Sequence, residues 1–332
     1  MSKYTFTKAL AAIAITALSC WTHASEVAIV IHGGAGTITP DKMTPELEKS
    51  YREILSRASE HGYALLKQGV SSELAVIETI KIMEDSPLFN AGHGAVLTNQ
   101  EKAELDASIM RGSDLAAGAV AAVTTIKNPI ELAYAVMTQS EHVMLVGKGA
   151  EVFAEEVGIE QVKNDYFITP RRLEQVREAK TREATAMIPK PEKYGTVGAV
   201  ALDSNGNITA ATSTGGMTNK RYGRVGDAPI IAAGTYADNA VCGISATGHG
   251  EYFIRAAVAH DICARSLYKD ISLQAAADEV VQDKLVAMGG DGGIIALTPR
   301  GKVIFSFNTA GMYRAGIDAE GRRTVGIYAD ED

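Results

Sequence analysis

The chain reads as an α+β protein of antiparallel sheets with helices on their outer faces. Three observations lead there. Short apolar runs recur along all 332 residues, separated by segments whose apolar positions follow helical spacing. Val197 to Asp203 and Ile208 to Ser213 are joined through Ser204, Asn205, Gly206 and Asn207, and Asn followed by Gly between such runs is a strong hairpin signal. Each half of the sequence supplies strands and two or more helices, yet neither looks able to stand alone, so both are expected to build one core.

In order, Val27 to Ile31 predicts a buried strand ending in a sharp turn at His32, Gly33, Gly34, Ala35 and Gly36. Pro45 to Lys67 is helical by the spacing of Leu47, Tyr51, Ile54, Leu55 and Ala58. Ser71 to Met83 repeats the pattern, with Ser71 and Ser72 offering an N-cap. Strands are expected at Glu104 to Met110 and Gly118 to Ile126, then a helix from Pro129 to Gln139, a strand at Val143 to Val146 and a helix near 149–157. After the hairpin, strands fit Ile230 to Ala233 and Ala240 to Ala246, and helices fit Glu251 to Leu267 and Ser272 to Met288. Gly292 to Leu297 and Val303 to Phe307 read as a closing antiparallel pair.

Residues 1–24 carry Lys3 and Lys8, an uncharged run from Ala9 to Cys20, and small residues ahead of Glu26, the pattern of a secretory signal peptide. That run is too short to span a bilayer, so the expectation is a soluble periplasmic protein with no membrane association after signal removal. Its removal takes the net charge from −8 to −10, and no basic stretch offers a footprint for nucleic acid. Cys242 and Cys263 would remain; a periplasmic location permits a disulfide between them without indicating one.

The chemistry centres on Gly195 and Thr196. From 160 to 194 the chain holds 14 charged residues in 35, with Pro170, Pro189 and Pro191, and it reads as a mobile linker over about 160–195. An apolar strand starts abruptly after it. A break before Thr196 would place a hydroxyl nucleophile and a free α-amine on one residue, and that amine, with a pKa of ~7.7–8.0, can serve as the base. Gly195 tolerates the backbone angles of a strained scissile bond. The plainer alternative is a loop glycine followed by the first residue of a strand.

Other segments fit a site around that threonine. Arg224 and Asp227, in a glycine-punctuated loop, suit the carboxylate and ammonium of an amino acid, or else form a surface ion pair. Thr247 and Gly248 lie between a strand and a helix, where a hydroxyl and a backbone N–H could hold an oxyanion. Thr214 ends the second hairpin strand, level with Thr196. The HGG run at 32–34 has no GxSxG elbow to make it part of a serine esterase, and reads as a turn with close backbone packing. Leu88 to Gly94 follows a helix in a loop whose exposed carbonyls could hold a structural cation.

Taken together, HGGAG at 32–36, PLFNAG at 87–92, GTVGAVALD at 195–203, TSTGGMTNK at 212–220, GRVGD at 223–227, TGHGE at 247–251 and FNTAGMYR at 307–314 resemble the plant-type asparaginase or isoaspartyl peptidase family of N-terminal nucleophile hydrolases. The resemblance implies an αββα sandwich, a precursor that cuts itself into chains 25–195 and 196–332 forming one structural domain, and pairing of two such units into an (αβ)2 assembly. It implies Thr196 as nucleophile with Thr214 beside it, Arg224 on the substrate α-carboxylate, Asp227 on its α-ammonium, and Thr247 with Gly248 as oxyanion hole. Substrates would be asparagine and β-aspartyl dipeptides, with no cofactor for catalysis. A structural sodium ion would be held by main-chain oxygens of Met83, Glu84, Ser86, Phe89, Ala91 and His93.

Glycosylasparaginases of the same superfamily carry aspartate before the nucleophile. Gly195 therefore favours the isoaspartyl peptidase branch over a glycoprotein-degrading amidase. A reading of another class is a non-catalytic periplasmic binder that grips an amino acid between Arg224 and Asp227 and never cuts itself.

Overall fold

A computed structural model describes residues 26–185 and 195–331. The expected signal peptide, and residues 186–194 of the expected linker, lie outside the described residues.

The elements follow in chain order: β1 (Ala28–Gly36), α1 (Pro45–Lys67), α2 (Ser72–Glu84), β2 (Leu105–Arg111), β3 (Ala117–Val123), α3 (Pro129–Gln139), β4 (Met144–Val146), α4 (Gly147–Glu156), α5 (Pro170–Ala184), β5 (Val197–Leu202) and β6 (Ile208–Thr214). They continue as β7 (Thr235–Asp238), β8 (Cys242–Gly248), α6 (Gly250–Ala256), α7 (Val258–Lys269), α8 (Leu273–Asp278), a π-helical turn (Glu279–Lys284), α9 (Leu285–Met288), β9 (Gly292–Leu297), β10 (Val303–Phe307), β11 (Gly311–Ile317) and β12 (Arg323–Tyr328).

These strands form an eight-stranded sheet in the order β12-β11-β1-β5-β6-β2-β3-β4 and a four-stranded sheet in the order β10-β9-β8-β7. The side-chain alternation of strands then dictates the layers. Ile29 and Ile31 of β1 join Leu55, Ile80 and Val136 from α1, α2 and α3 in a core on the outer face of the large sheet. Ala28 and Val30, on the opposite face, meet Val200, Ile295 and Leu297 between the two sheets. A third core packs Ile244 and Ala246 of β8 against Val258, Ile262 and Ala276 from α7 and α8. The molecule is thus an αββα sandwich, as the resemblance implied. Strands from both sides of residue 196 interleave, with β1 between β11 and β5.

Several expectations need correcting. His32 to Gly36 is no turn: β1 runs through it with a register shift between His32 and Gly34. Not every strand pair is antiparallel, because β4 joins β3 in parallel through the α3 crossover. Ile230 to Ala233 is a turn and the strand begins at Thr235. The helix expected over Glu251 to Leu267 breaks at Ala257, which adopts φ 48° and divides α6 from α7. β11 and β12 have no counterpart among the expected strands.

The largest correction concerns the charged segment. Thr169 accepts a hydrogen bond from Arg172 N, Pro170 occupies the first helical turn, and 170–184 forms α5. Its buried residues are Arg172 and Val176, and ion pairs from Arg177 and Lys180 to Glu101 and from Arg221 to Glu183 fasten it. Charge density signalled solvent exposure along one face, not the absence of structure. Among the described residues no helix is long and apolar enough to cross a membrane.

Candidate active site

Thr196 sits at the head of β5, 7% exposed, beside the last residue of β6. The hairpin pairs Val197 with Ser213, so the next position along brings Thr214 level with Thr196. Thr196 Oγ1 donates to Thr214 Oγ1 at 3.1 Å, and Thr214 Oγ1 donates to the carbonyl oxygen of Gly195 at 3.2 Å. Gly216 N donates to the same Thr214 hydroxyl at 3.0 Å.

The Gly195 carbonyl has a second donor that sequence reasoning missed. Asn90 Nδ2 reaches it at 2.6 Å and also reaches Gly216 O at 2.8 Å, while Asn90 Oδ1 accepts from Val96 N at 2.8 Å. The fixed amide is aimed at the oxygen on which charge develops if the Gly195–Thr196 bond is attacked. Its signal is the asparagine inside PLFNAG, a segment expected to act only through its carbonyls.

Gly34 explains why β1 carries a glycine run here. It adopts φ 112°, and a Cβ on it would lie 2.8 Å from Gly195 Cα and 3.2 Å from Thr196 N. The expected close backbone packing is therefore present, on a bulged strand instead of a turn. His32 donates from Nδ1 to Thr196 O at 2.9 Å. Complete burial pushes its pKa down to about 3, so the ring is neutral. A cavity of about 290 Å³ opens on the Gly195 side, lined by Asn90, Arg171, Arg172, Thr218 and Tyr313 among others.

Arg224, Asp227, Thr247 and Gly248 gather at the head of α6, beyond the same end of β6 that carries Thr214; a Cβ on Gly216 would stand 3.5 Å from Arg224 Nη1. Arg224 forks onto Glu251, Nε to Oε1 and Nη2 to Oε2 both at 2.9 Å. Sequence reasoning missed Glu251 as its partner. A Cβ on Gly250 would stand 2.9 Å from both Arg224 Nη2 and Asp227 Oδ1, so one glycine lets the cation and the carboxylate converge. Asp227 is 6% exposed, and burial pushes its pKa up to about 7. Among the described residues its Oδ2 is buried with no hydrogen-bond partner, and the same holds for the hydroxyl of Thr247. One acceptor suited to an ammonium and one donor suited to an oxyanion are thus left unsatisfied in one region, which native interiors rarely tolerate without a use.

The loop after α2 is largely buried and turns tightly. A Cβ on Gly92 would strike Glu84 O, and one on Gly94 would strike Phe89 O, so these glycines admit a tight turn around main-chain oxygens. Met83 O accepts from Ser86 N and Ala91 O accepts from Gly94 N. His93 Nδ1 contacts Tyr166 O at 2.6 Å. The Glu84 side chain turns inward to Ser213 Oγ at 2.6 Å and Ile130 N at 3.2 Å, and burial pushes its pKa up to about 7. Among the described residues no group of three or more His, Cys, Asp and Glu side chains could hold a metal ion. The donors on offer to a cation here are main-chain oxygens, hard ligands of the kind alkali and alkaline-earth ions accept.

Cys242 on β8 and Cys263 on α7 are joined in a disulfide, with Cα atoms 6.0 Å apart.

A two-sheet sandwich that presents a strand-initial threonine against an activated carbonyl defines an N-terminal nucleophile hydrolase. Within that class the chain belongs to the asparaginase family, whose profile matches residues 25–327. It is 49% identical over 309 residues to a protein of Escherichia coli K12 named isoaspartyl peptidase, covering 91% of this chain and 96% of that one. A human protein named isoaspartyl peptidase/L-asparaginase is 37% identical over 304 residues, covering 91% and 96%. An Arabidopsis thaliana relative, named probable isoaspartyl peptidase/L-asparaginase 2, is 38% identical over 325 residues, covering 91% and 98%. These comparisons lend no support to a non-catalytic binder.

Proposed function

We propose that this protein is an isoaspartyl peptidase and L-asparaginase that matures by cutting itself before Thr196. The observation that carries the reading is the Thr196 hydroxyl held by Thr214 while Thr214 and Asn90 both donate to the Gly195 carbonyl. In the first reaction Thr196 Oγ1 attacks that carbonyl, the oxyanion rests on Asn90 Nδ2 and Thr214 Oγ1, and as the Gly195–Thr196 bond breaks the proton given up by the hydroxyl passes to the peptide nitrogen, which becomes the new amine. Water then cleaves the resulting ester and frees the Thr196 hydroxyl.

In the second reaction the Thr196 amine takes the proton of its own hydroxyl, which attacks the side-chain carbonyl of asparagine or of a β-aspartyl dipeptide. Arg224 holds the α-carboxylate, through the edge not occupied by Glu251 or in exchange for it, and Asp227 Oδ2 receives the α-ammonium. The oxyanion falls to the Thr247 hydroxyl and the Gly248 N–H. Ammonia or an amino acid departs with the proton, and water releases aspartate from Thr196.

The same reading keeps one structural domain after cleavage, assembly as (αβ)2, and export to the periplasm, for which the Cys242–Cys263 bridge argues because such bridges persist in oxidising compartments. A sodium ion in the 83–93 loop would hold the carbonyls in place and take no part in either reaction. To test the whole, wild type and Thr196→Ala are incubated, their new N-termini sequenced, and aspartate release from asparagine and a β-aspartyl dipeptide measured. We expect a fragment starting at Thr196 in wild type only, and an intact, inactive variant. A Thr196→Ala protein that still releases aspartate would overturn the reading.

A further inference from the structure

Between the two sheets, in a layer otherwise packed with apolar side chains, runs a continuous line of buried polar groups. His32 Nε2 lies 3.0 Å from Ser245 Oγ; Ser245 Oγ lies 2.6 Å from Thr212 Oγ1; Thr212 Oγ1 lies 2.6 Å from Thr235 Oγ1; and Ser108 Oγ reaches Thr235 Oγ1 at 2.8 Å and Ala228 O at 2.6 Å. All five residues are fully buried. His32, Thr212 and Ser108 belong to the large sheet, and Ser245 and Thr235 to the small one.

The line has a definite direction. A neutral His32 that donates from Nδ1 to Thr196 O must accept at Nε2, so Ser245 donates to it. With its one proton used, Ser245 can only accept from Thr212, and Thr212 in turn from Thr235. Gly234 O, 3.3 Å from Thr212 Oγ1, is then the weaker contact. Only Ser108, choosing between Thr235 Oγ1 and Ala228 O, is undetermined. Gly198 belongs to the same device, because a Cβ there would overlap Ser245 Oγ and His32 Nε2.

Both ends of this line and a point between them touch different parts of the site. One end is the carbonyl of Thr196. Between the ends, next to His32, is Ser245, two residues before Thr247 and on the same face of β8. The far end is the carbonyl of Ala228, adjacent to Asp227. Apolar side chains of the same size would pack a sandwich core as well, since a buried hydroxyl pair adds little net stability over an apolar pair of like shape.

We infer that Ser108, Thr212, Thr235 and Ser245 are positioning residues, a hydrogen-bonded seam that sets the nucleophile, the oxyanion strand and the ammonium clamp at fixed spacing across the two sheets. The inference rests on the roles proposed above for Thr196, Thr247 and Asp227. Hydrogen bonds, unlike apolar contacts, fix both distance and direction, and a shift of about 1 Å at a reacting centre can cost on the order of 10²-fold in rate.

The test measures kcat and KM for asparagine, per cleaved chain, in Thr212→Val, Thr212→Ser and Ser245→Ala, with melting temperatures and with Thr196→Ala as control. The expected result is a kcat loss of about tenfold or more in Thr212→Val and Ser245→Ala, and recovery to within about twofold in Thr212→Ser. A folded Thr212→Val that fails to cut itself supports the seam equally, because Thr196 is then misplaced. Variants that melt lower but turn over at the wild-type rate overturn it. Should Thr212→Val not fold, Ser245→Ala at the His32 end decides alone. Activity in Thr196→Ala would instead sink the proposed function and leave the seam's geometry as it stands.

Discussion

The hydroxyls of Thr196 and Thr214 stand 3.1 Å apart, and the same Thr214 oxygen touches the Gly195 carbonyl at 3.2 Å. On the proposed mechanism one side chain therefore contacts both the attacking atom and the atom that receives charge in self-cleavage. Replacing Thr214 by Val keeps the shape and removes both contacts. Maturation and turnover should each fall by on the order of 10²-fold, the scale of one lost oxyanion donor, while Thr214→Ser retains most of both. Gel-resolved cleavage over time, set beside aspartate release, checks the pair; loss of one without the other would confine Thr214 to a single step.

On the proposed mechanism Thr247 separates the two reactions. Among the described residues its hydroxyl has no hydrogen-bond partner, and no hydrogen bond joins it to the Gly195 carbonyl, which Asn90 and Thr214 serve. Thr247→Ala should cleave itself normally and then lose turnover on asparagine by on the order of 2.7–4 kcal/mol in transition-state stabilisation, with KM little changed. Asn90→Ala should show the reverse order, with slow maturation. Steady-state kinetics on fully cleaved protein test this, and unchanged turnover in Thr247→Ala would remove it from the role.

Much of this arrangement is legible in the amino-acid sequence itself. The hairpin is legible because its turn is local: Asp203 Oδ1 accepts from Asn205 N and Asn207 N, and Gly206 takes φ 80°. The threonines at 196, 214 and 247 are legible because each stands at a strand end next to glycine. Long-range partners are not. Asn90 meets Gly195 across 105 residues and Arg224 meets Glu251 across 27, and nothing local in either stretch marks the meeting. β11 is hidden by Arg314, a charged residue that looks solvent-facing in sequence yet is 3% exposed, donating to Tyr328 O at 3.0 Å and lying over the Phe307 ring. α5 is hidden by its charges, although Thr169 and Pro170 give a readable start.

Asp227 predicts a pH dependence of both binding and stability. Burial is the main cause of its raised pKa of about 7, with the charges of Glu251 and Asp106 adding to it and Arg224 opposing. In the empty site it protonates below about pH 7 and cannot then hold an ammonium, so KM should climb as pH falls through that value, approaching about tenfold per unit. For stability the sign runs the other way. A carboxyl whose folded pKa lies above its unfolded value binds more protons when folded, so its contribution is complete below about pH 4 and is lost as pH rises through about 7. Glu84, raised to about 7 by burial, adds in the same sense. Asp227→Asn should therefore bind substrate poorly yet melt higher at pH 8, by roughly 2–4 °C per kcal/mol recovered. The gain should shrink at pH 5, and an equal shift at both values would count against a buried, raised carboxyl.

The bridge from Cys242 to Cys263 ties the start of β8 to the middle of α7, joining cysteines 21 positions apart in the sequence. Both are almost fully buried in the outer core of the small sheet. A loop of that length constrains the unfolded chain by about 3 kcal/mol in the chain-entropy account. Thr247 lies five residues along β8 from Cys242, so slack between β8 and α7 should reach the proposed oxyanion hole. The variant Cys242→Ala/Cys263→Ala is expected to lose about 3 kcal/mol of stability, and its turnover should fall further than its substrate affinity. Denaturant unfolding and asparagine kinetics measure the two effects. Unreduced peptide mapping supplies the direct check: one linked peptide pair containing Cys242 and Cys263 is expected. Two free thiols in protein recovered from the periplasm would sink the bridge, and with it the argument it lends to export.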